Sequence, residues 1–375
     1  MDYGRQTAPA STYPTKLHDS IRIEIIHITG GKMNSIWQDF LQQQGAHLHN
    51  GIVQHFGDAP AELAASRDGT VLCDLSQFGT LKVSGVDALD FLQNMLSSDV
   101  SEVSAQQAQI SSLNSPKGRM LASFLIWRTG ADYFLHLPHS LCAAIHKRLS
   151  MYILRAKVKI EDAGDEVVCL GLNGENAAAQ IQECFGSIPQ DAMAVAYYDN
   201  TSIIRVGPQR FQLNTTLQQA PALWQQLSAS ARPVGSACWD WLNIHAGIPV
   251  ILPATQEQFV AQMVNLELIG GVNFKKGCYP GQEIVARMQY LGKLKRRMVL
   301  AHIEGDTVPQ PGDELYSADM EAQASGMVVN ATAAPGGGCD LLAVVQISSR
   351  DTQTVHLQSL QGAPLNFLPL PYSIP

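Results

Sequence analysis

The sequence contains no pair of cysteines in a CxxC arrangement. Its seven cysteines are scattered over 375 residues, and no histidine stands at metal-ligand spacing from any of them. These absences exclude the common structural zinc sites, and we expect no metal centre. The odd number and scattered placement are typical of a reducing compartment, so we expect a cytoplasmic protein. Cys73, Cys142 and Cys169 lie in apolar segments and are expected to be buried thiols.

The sequence also lacks an apolar run long enough to span a membrane. The apolar stretch at residues 21–30 is short and is interrupted by Arg22, Glu24 and His27. The first 32 residues have neither the apolar segment of a signal peptide nor the arginine-rich composition of a transit peptide. We interpret residues 1–32 as a disordered extension that precedes the folded chain at Met33, and we expect no membrane partner.

Basic residues are in deficit over the whole chain. There are 25 Lys and Arg against 33 Asp and Glu, which gives a net charge of −8. Such a chain does not attract nucleic acids or anionic membranes as a whole, so any affinity for an anion must come from a local patch. The length and the 46% hydrophobic content predict two or three domains with a sizeable core.

The periodicity of apolar residues predicts a mixed α+β chain. Residues 80–155 follow the order β-α-β-β-β-α, which is close to a split βαβ unit. Residues 156–245 have a similar style, with a predicted hairpin over residues 192–216 and helices on either side of it. From Lys295 onward the pattern indicates five short strands separated by Gly and Pro turns, which is typical of a small barrel or sandwich.

One short stretch, FKKGCYPGQEIVAR at residues 274–287, combines several reactive features. The spacing of apolar residues predicts a helix that begins after the Pro-Gly turn, and Cys278 would lie just before its N-terminus. Neighbouring cations and a helix N-terminus lower the pKa of a thiol and make it a better nucleophile or ligand. The alternative interpretation is a half-buried cysteine in a tight turn between domains.

The same region forms the basic island of the chain. Seven basic residues and one acid, Glu283, lie between residues 275 and 297, and this island suits an anionic ligand such as a phosphate, a polyglutamyl tail or RNA. The alternative is a solvated junction. The basic residues are Lys275, Lys276, Arg287, Lys293, Lys295, Arg296 and Arg297.

KGCYPGQE at residues 276–283 resembles the K-G-C-(Y/F)-x-G-Q-E signature of the YgfZ family, the folate-binding relatives of the glycine-cleavage T-protein. The resemblance covers the chain from about residue 60 to its end. It is supported by FLQNMLSSDVSEV, LNSPKGRM, YILRAKVKIED, WLNIHAGIPVI and the terminal LPLPYSIP.

The resemblance implies an α+β fold of the T-protein type, in which three domains form a ring. Two interlocked α+β domains, ferredoxin-like or split βαβ in style, and a C-terminal β-barrel would surround a folate channel. The first domain would be discontinuous, over residues 33–75 and 156–260, and the second would span residues 76–155. Residues 261–294 would carry the signature between domains, and residues 295–375 would form the barrel.

The resemblance also implies a function and its residues. The family is associated with tetrahydrofolate-dependent assembly or repair of iron–sulfur enzymes, including an enzyme that methylthiolates tRNA, so tetrahydrofolate or a derivative is the expected cofactor. Such client enzymes are the expected partners, with direct binding of tRNA as a further possibility. Cys278, Lys276 and Asp99 are the expected catalytic residues. The expected folate contacts are Asp99, His245, Tyr279, Gln282, Glu283 and Arg287.

Asp99 and His245 each admit a second interpretation. Asp99 matches the aspartate that aminomethyltransferases place beside the folate, and the alternative is an ordinary capping aspartate after a helix. His245 replaces the glutamate by which T-proteins hold the pterin amines, and a neutral imidazole accepts only one hydrogen bond. It is also consistent with a core histidine.

Three function classes stay open on the sequence. The first is a folate-dependent factor for iron–sulfur enzymes, and the second is a true aminomethyltransferase of the T-protein kind. The third is a non-catalytic RNA-binding module that would use the KLKRR segment at residues 293–297. Because Cys278 stands where the T-protein has an acidic residue, the sequence favours the first class.

Overall fold

The computed structural model describes residues 1, 33–305, 307–321 and 323–374. The proposed extension at residues 1–32 therefore lies almost entirely outside the described residues. The described chain is a mixture of α-helices and mainly antiparallel sheets. The helices are α1 (Ser35–Gln43), α2 (Ala59–Asp68), α3 (Ala88–Met95), α4 (His139–Ser150), α5 (Ala177–Phe185), α6 (Ala220–Ser228), α7 (Ser236–His245), α8 (Gln282–Tyr290) and α9 (Ile347–Thr352).

The strands build a short hairpin and three larger sheets. Those of the first half are β1 (His47–His49), β2 (Ile52–His55), β3 (Val71–Asp74), β4 (Phe78–Ser84), β5 (Gln109–Asn114), β6 (Met120–Thr129), β7 (Asp132–Pro138), β8 (Lys159–Asp162) and β9 (Val167–Asn173). Those of the second half are β10 (Val195–Tyr198), β11 (Thr201–Gly207), β12 (Arg210–Thr216), β13 (Arg232–Val234), β14 (Arg296–Ile303), β15 (Glu314–Tyr316), β16 (Gly326–Ala333), β17 (Cys339–Gln346), β18 (His356–Leu357) and β19 (Asn366–Leu368).

The first sheet joins distant parts of the chain in the order β10-β11-β12-β9-β3-β13. Its pairs are antiparallel except for β13, which runs parallel to β3. The predicted hairpin is confirmed as β10, β11 and β12. Apolar side chains from α1, α5 and α6, including Trp37 and Trp224, pack on one face of this sheet. Helix α5 ends at Gly186, whose φ of 79° is easily reached by glycine.

The second sheet has the order β5-β6-β7-β4-β8 and is antiparallel throughout. Helices α3 and α4 cover it and bury Leu92, Leu96, Ile145 and Leu149 against its apolar face. This confirms the predicted β-α-β-β-β-α order of residues 80–155. Strand β8 lies beyond the predicted boundary at residue 155 but pairs with β4 of this sheet. The domain boundaries stay a prediction.

The third sheet is a curled half-barrel with the order β18-β15-β16-β17-β14-β19. The five strands predicted after residue 295 are all present, and β19 is an additional strand that the sequence did not reveal. It pairs with the free edge of β14 through only three residues, which is too short a run for a clear alternation. One face of the sheet packs on the segment that follows α7, through Ile251, Phe259 and Val264.

The first two sheets face each other across helix α7. Trp239 and Trp241 of α7 pack with Trp127 and Phe134 of the second sheet and with β3 of the first. The buried state of Cys73, Cys142 and Cys169 confirms the prediction for those thiols. Helix α7 therefore touches all three sheets, since it also contacts β16 and β17. This central helix lines the cavities described below.

Candidate functional site

The signature segment, residues 271–281, is an irregular stretch before α8. Its side chains alternate between burial and exposure in a way that sequence periodicity does not show. Lys276 and Tyr279 are each only 7% exposed, whereas Gly277 and Cys278 between them are exposed. Two buried side chains thus anchor the segment, and the thiol between them faces solvent. Cys278 lies three residues before Gly281, which precedes the first residue of α8.

Lys276 anchors the segment to the end of α3. Its Nζ donates hydrogen bonds to the carbonyl oxygens of Gln93 (2.6 Å), Leu96 (2.6 Å) and Ser98 (2.8 Å). The ammonium therefore uses all three donors on backbone oxygens, at the electronegative end of a helix. Burial lowers the pKa of Lys276 to about 8, because a desolvated ammonium is less stable than a solvated one. This arrangement fixes the backbone two residues before Cys278. The predicted catalytic role of Lys276 stays a prediction.

Asp99 is part of the same connection. Its Oδ1 accepts hydrogen bonds from Gln93 Nε2 (2.9 Å), Ser101 N (3.1 Å) and Ser101 Oγ (2.5 Å). It caps the 3-10 turn Val100–Glu102, and the hydrogen bond from Ser101 keeps the pKa of this carboxyl below its usual value. The capping interpretation of Asp99 is therefore what the geometry shows. Its proposed place beside folate stays a prediction.

Two glycine turns bring the signature against the β5–β6 hairpin. Gly118 has a φ of +72°, and a Cβ placed there would lie 2.7 Å from the Cβ of Ile284. Gly281 has a φ of +78°, and a Cβ there would lie 2.5 Å from the Ser115 carbonyl oxygen. Neither position has room for a larger residue. The PKG and Pro-Gly turns that the sequence showed separately are one contact in the structure.

Helix α8 presents the remaining signature residues at the surface. Glu283 and Arg287 are exposed and Gln282 is half-buried. The helix is held on its inner face by Val285, whose carbonyl oxygen accepts a hydrogen bond from Gln262 Nε2 (2.7 Å). The predicted helix is confirmed, and the role of these side chains in folate binding stays a prediction.

The basic island is less exposed than its sequence suggests. Arg297 is buried, and its Nη1 lies 2.5 Å from Glu267 Oε1 and 2.8 Å from the Gln262 carbonyl oxygen. Arg296 donates a hydrogen bond to the Ala324 carbonyl oxygen (3.0 Å). Lys293 and Lys295 are exposed. Two of the four charges in KLKRR therefore have partners within the protein.

His245 belongs to a polar cluster between α7 and the third sheet. Its Nε2 lies 2.7 Å from Asp340 Oδ2, and the same oxygen accepts a hydrogen bond from Trp241 Nε1 (2.8 Å). The other carboxylate oxygen of Asp340 lies 2.8 Å from His302 Nδ1. Asp340 is only 5% exposed, and despite its burial the three hydrogen bonds hold the pKa of its carboxyl below the usual value. The His245 side chain thus fastens α7 to β17.

Two adjoining cavities lie beside α7. The smaller, about 80 Å³, is mostly apolar and includes Trp239, Arg210 and His136 in its wall. The larger, about 370 Å³, is the size of a small-molecule site and includes Gln77 and Asp240. The walls of both cavities share Phe78, Pro138, Asn243 and Val250. None of the eight site residues expected from the sequence lines either cavity.

The wall of the smaller cavity includes the buried side chain of Arg210. The Arg210 guanidinium lies 4.1 Å from the ring centroid of Trp239 and donates hydrogen bonds to the Asn243 Oδ1 and to the Leu242 carbonyl oxygen. Burial lowers the pKa of Arg210 to about 9 and that of His136 to about 3, so the imidazole is neutral near pH 7. Arg210 Nε and His136 Nε2 are buried without a hydrogen-bond partner.

The wall of the larger cavity also contains polar groups. The Gln77 side chain is a partner of Asp240 and lowers the pKa of its carboxyl, although neither amide atom has a hydrogen bond of good geometry. His139 Nε2 is buried without a hydrogen bond. Asp240 is partly exposed to this cavity. Burial raises the pKa of the Asp240 carboxyl to about 6. The Gln77 side chain and the charge of Arg210 lower this pKa, but by less than burial raises it. Buried polar groups without protein partners are uncommon, and in a cavity wall they are available to water or to a polar ligand.

Comparison with known proteins agrees with this architecture. Residues 36–275 match the model of the GCVT N-terminal domain family. The tRNA-modifying protein YgfZ of Klebsiella pneumoniae (strain 342) is 30% identical over 314 residues, which cover 83% of this chain and 95% of that protein. The structure of the glycine cleavage system aminomethyltransferase T from Bartonella henselae superimposes with a TM-score of 0.75 at 19% identity. That match covers 90% of this chain and 96% of the other.

The chain belongs to the YgfZ family. Its fold is that of the glycine-cleavage T-protein, as the sequence predicted, with the curled half-barrel sheet at the C-terminus. No helix in the part of the chain that the structure describes is long and apolar enough to cross a membrane. Among the described residues, no group of three or more His, Cys, Asp or Glu side chains is placed to hold a metal ion.

In this YgfZ-family protein Cys278 lines neither of the two cavities, but one hairpin contacts both the smaller cavity and the signature segment. Strand β6 carries Ser123 in the wall of the smaller cavity, and the turn that begins this strand carries Gly118 against α8. Five residues of extended chain span on the order of 15 Å. The β5–β6 hairpin therefore connects the wall of the smaller cavity to the signature segment.

Sequence reasoning did not select the cavity residues Asp240, Gln77 and Arg210. Asp240 does carry a signal, since it is a lone carboxylate between two tryptophans in the apolar helix CWDWLNI. A charge in such a helix requires a partner or a polar cavity. Gln77 and Arg210 carry no comparable signal, because each stands in an ordinary polar turn or strand end.

Proposed function

We propose that this protein binds a folate in the cavities beside α7 and uses the Cys278 thiol in the assembly or repair of iron–sulfur clusters on client enzymes. Through such clients it would affect tRNA modification, which agrees with the name of its Klebsiella relative. The observation that carries the proposal is the exposed Cys278 between the two buried anchors Lys276 and Tyr279.

An exposed and anchored thiol suits work on another protein. A thiolate can ligate iron or exchange sulfur, and both reactions require the partner to reach the sulfur atom. Lys276 contributes by holding the backbone beside Cys278 through three carbonyl oxygens, so the thiol is presented in one place. Exposed basic residues near the thiol, including Lys275 and Arg287, favour an acidic partner surface.

The cavity residues are compatible with a folate. Its pterin ring is flat, apolar on both faces and rich in donors and acceptors at its edge. Phe78 and Trp239 supply apolar wall, and Arg210, His136 and His139 supply buried polar atoms without partners. When bound, a tetrahydrofolate would supply one-carbon chemistry at its ring nitrogens. The localisation we propose is the cytoplasm, where thiols stay reduced.

The two other functions have less support. Only the fold favours a true aminomethyltransferase, because the T-protein structure that superimposes on this chain is only 19% identical in sequence. Asp99 Oδ1, the expected transferase carboxylate, already accepts one hydrogen bond from Gln93 of α3 and two from Ser101. An RNA-binding module is less well supported because Arg296 and Arg297 form hydrogen bonds within the protein.

We expect Cys278→Ser to abolish complementation of a strain that is defective in this maintenance function, while the protein keeps its melting temperature and its affinity for tetrahydrofolate. The matched control is Cys184→Ser, which changes another cysteine that is not fully buried, and it should complement normally. Full complementation by Cys278→Ser would contradict the role of the thiol. Robust formation of methylene-tetrahydrofolate from an aminomethylated lipoyl carrier would support the transferase instead.

A further inference from the structure

Four large apolar side chains are exposed where the turn after α4 lies beside the turn before α3. Met151, Tyr152 and Leu154 belong to the turn after α4, and Val86 belongs to the turn before α3. Leu154 is 89% exposed and Val86 is 82% exposed. Single exposed apolar residues are ordinary, but several at one place are typical of an interaction site.

The two turns are fixed against each other and against the core. Asp87 Oδ2 accepts a hydrogen bond from the backbone nitrogen of Lys157 (2.7 Å). A Cβ at Gly85, which has a φ of +117°, would lie only 2.0 Å from the Lys157 carbonyl oxygen. Ile153 and Val158 pack on the apolar core of the second sheet. The exposed side chains therefore belong to an anchored surface and not to a loose loop.

Leu154 has an unfavourable backbone conformation as well as an exposed side chain. Its φ is +46°, in the left-handed region that residues other than glycine and asparagine seldom adopt. Burial of the side chain does not compensate for this strain, because Leu154 is almost fully exposed. Strained residues are concentrated at binding and catalytic sites. The conformation of Leu154 thus points to a function outside the fold itself.

Basic residues surround the apolar side chains. The chain has no acidic residue between positions 147 and 158. Among the described residues, none forms a hydrogen bond or an ion pair with the charged groups of the four basic residues in that segment. The neighbouring Lys159 differs, since its Nζ lies 2.6 Å from Glu161 Oε1. We name this region the α4–β8 surface, and its residues are Val86, Lys147, Arg148, Met151, Tyr152, Leu154, Arg155 and Lys157.

The composition of the α4–β8 surface selects among anionic partners. An apolar centre with a charged rim, rich in Tyr, Met and Arg, is the usual composition of a protein interface. A nucleic acid has no complement for aliphatic side chains such as Val86 and Leu154. A membrane surface or a nucleic acid would also repel Asp90, which is exposed in the first turn of α3. A protein can match both signs of charge, and the excess of cations requires an acidic one.

We infer that the α4–β8 surface is the docking site of an acidic protein partner, which receives Leu154 in an apolar depression and places carboxylates beside Arg155 and Lys157. This inference rests on the proposed function, in which the partners are client enzymes, and names the surface that holds them.

The position of the surface agrees with such a role. Helix α3 begins beside Val86, and carbonyl oxygens at its other end bind Lys276. The two ends are on the order of 15 Å apart along the helix. An ordinary interface covers about 800 Å² on each partner and is wider than this distance. One docked protein can therefore extend from the α4–β8 surface to the signature segment.

The first test is complementation of a strain that is defective in the maintenance function. The variants are Leu154→Asp, which keeps a residue type that tolerates positive φ, and Arg155→Glu. Arg155→Lys keeps the charge, and Ile36→Asp changes an exposed apolar residue elsewhere. The melting temperature, the affinity for tetrahydrofolate and the rate of Cys278 with Ellman's reagent show whether each variant is otherwise intact.

We expect Leu154→Asp and Arg155→Glu to lose complementation and to keep those three properties. Arg155→Lys and Ile36→Asp should complement as wild type does. If Leu154→Asp lowers the melting temperature, Arg155→Glu decides the test, because the Arg155 side chain is exposed and has no structural partner among the described residues.

The second test measures docking directly. Benzoylphenylalanine in place of Tyr152 cross-links the bound protein in living cells, and the captured protein is then purified for biolayer interferometry. Leu154→Asp and Arg155→Glu should weaken its binding roughly 10- to 100-fold, and added salt should weaken binding to wild type. Total tRNA and vesicles of phosphatidylethanolamine and phosphatidylglycerol in equal parts are the competing probes.

The outcomes separate the inference from the function on which it rests. If Cys278→Ser complements fully, the proposed function fails whatever the surface variants do. If Cys278→Ser fails and both surface variants complement as wild type does, only the inference is overturned. A captured protein whose affinity is unchanged in both variants would also overturn it. Binding of wild type to tRNA or to the vesicles, lost in both variants, would assign the surface to that partner instead.

Discussion

At the scale of single residues, the carboxyl groups of Asp340 and Asp240 have pKa values that are shifted in opposite directions. Asp340 accepts hydrogen bonds from Trp241 and two histidines, and its pKa lies below the usual value. Asp240 faces a cavity with less compensation, and burial raises its pKa to about 6. The difference follows from the number of hydrogen-bond donors that the packing places around each carboxylate.

We expect Asp240→Asn to stabilise the ligand-free protein near neutral pH. A carboxyl with a raised folded-state pKa binds more protons in the folded state, so stability falls as pH rises from about 4 to about 6. The Asp240→Asn side chain does not titrate, so the free energy of unfolding of this variant should exceed that of wild type by about 1–3 kcal/mol at pH 7. Near pH 4 the two proteins should be equally stable. Urea unfolding at several pH values measures this.

The charged and titratable neighbours of Asp240 must be included in that comparison. They are Arg210, His139 in the same cavity wall, and the thiols of Cys73 and Cys238, which burial keeps protonated at these pH values. Asp351→Asn, at an exposed position, should show no such pH-dependent gain. An Asp240→Asn variant less stable than wild type at pH 7 would contradict the expectation.

At the scale of elements, the signature segment depends on the end of α3. Three backbone carbonyl oxygens converge on the Lys276 ammonium, and two of them, from Gln93 and Leu96, lie at the C-terminal turn of the helix. Asn273 N and the Gly271 carbonyl oxygen add hydrogen bonds to Ser97. The position of Cys278 is therefore determined by a helix that lies about 180 residues earlier in the chain.

We expect Lys276→Met to destabilise the fold by about 3 kcal/mol, because it leaves buried carbonyl oxygens without a donor. It should also loosen the segment, so that Cys278 reacts with Ellman's reagent at a changed rate and amides near residue 278 exchange faster. Lys275→Met removes a neighbouring exposed charge and should change neither readout. Unchanged exchange in Lys276→Met would show that the ammonium does not position the thiol.

At the scale of the whole molecule, α7 holds the three sheets together. Its apolar face packs between the first two sheets, and its C-terminal end reaches the third through Trp241, His245 and Asp340. The two cavities lie along this helix, so the wall of the proposed ligand site is also the junction of the sheets.

We expect Asp340→Asn to cost about 2 kcal/mol of stability at pH 7, because an amide nitrogen then faces hydrogen-bond donors that the carboxylate accepted. A carboxyl with a lowered pKa contributes stability above its unfolded-state pKa of about 4, and the contribution is lost as pH falls through the lower folded-state value. Calorimetric unfolding at pH 7 and at pH 3 measures the difference. An equal effect at both pH values would contradict it.

Local sequence was sufficient for most elements and for the signature itself. Helices α7 and α8, the β10–β12 hairpin and five strands of the third sheet followed from periodicity, because burial of one face is a local pattern. The C-terminal strand β19 was missed, since its three residues show no alternation. The family resemblance added the T-protein fold, which no single element could indicate.

The sequence by itself determined the family, the fold and the position of a cysteine among basic residues, and the structure then showed that this cysteine is exposed. Only the tertiary structure decided that Lys276 is used on carbonyl oxygens, that Asp99 caps a turn and that His245 pairs with Asp340. It also brought Asp240 and Gln77, which are 163 positions apart, to one cavity. The physical reason is that a polar side chain takes whichever partner the packing places beside it, and that partner is usually distant in the chain.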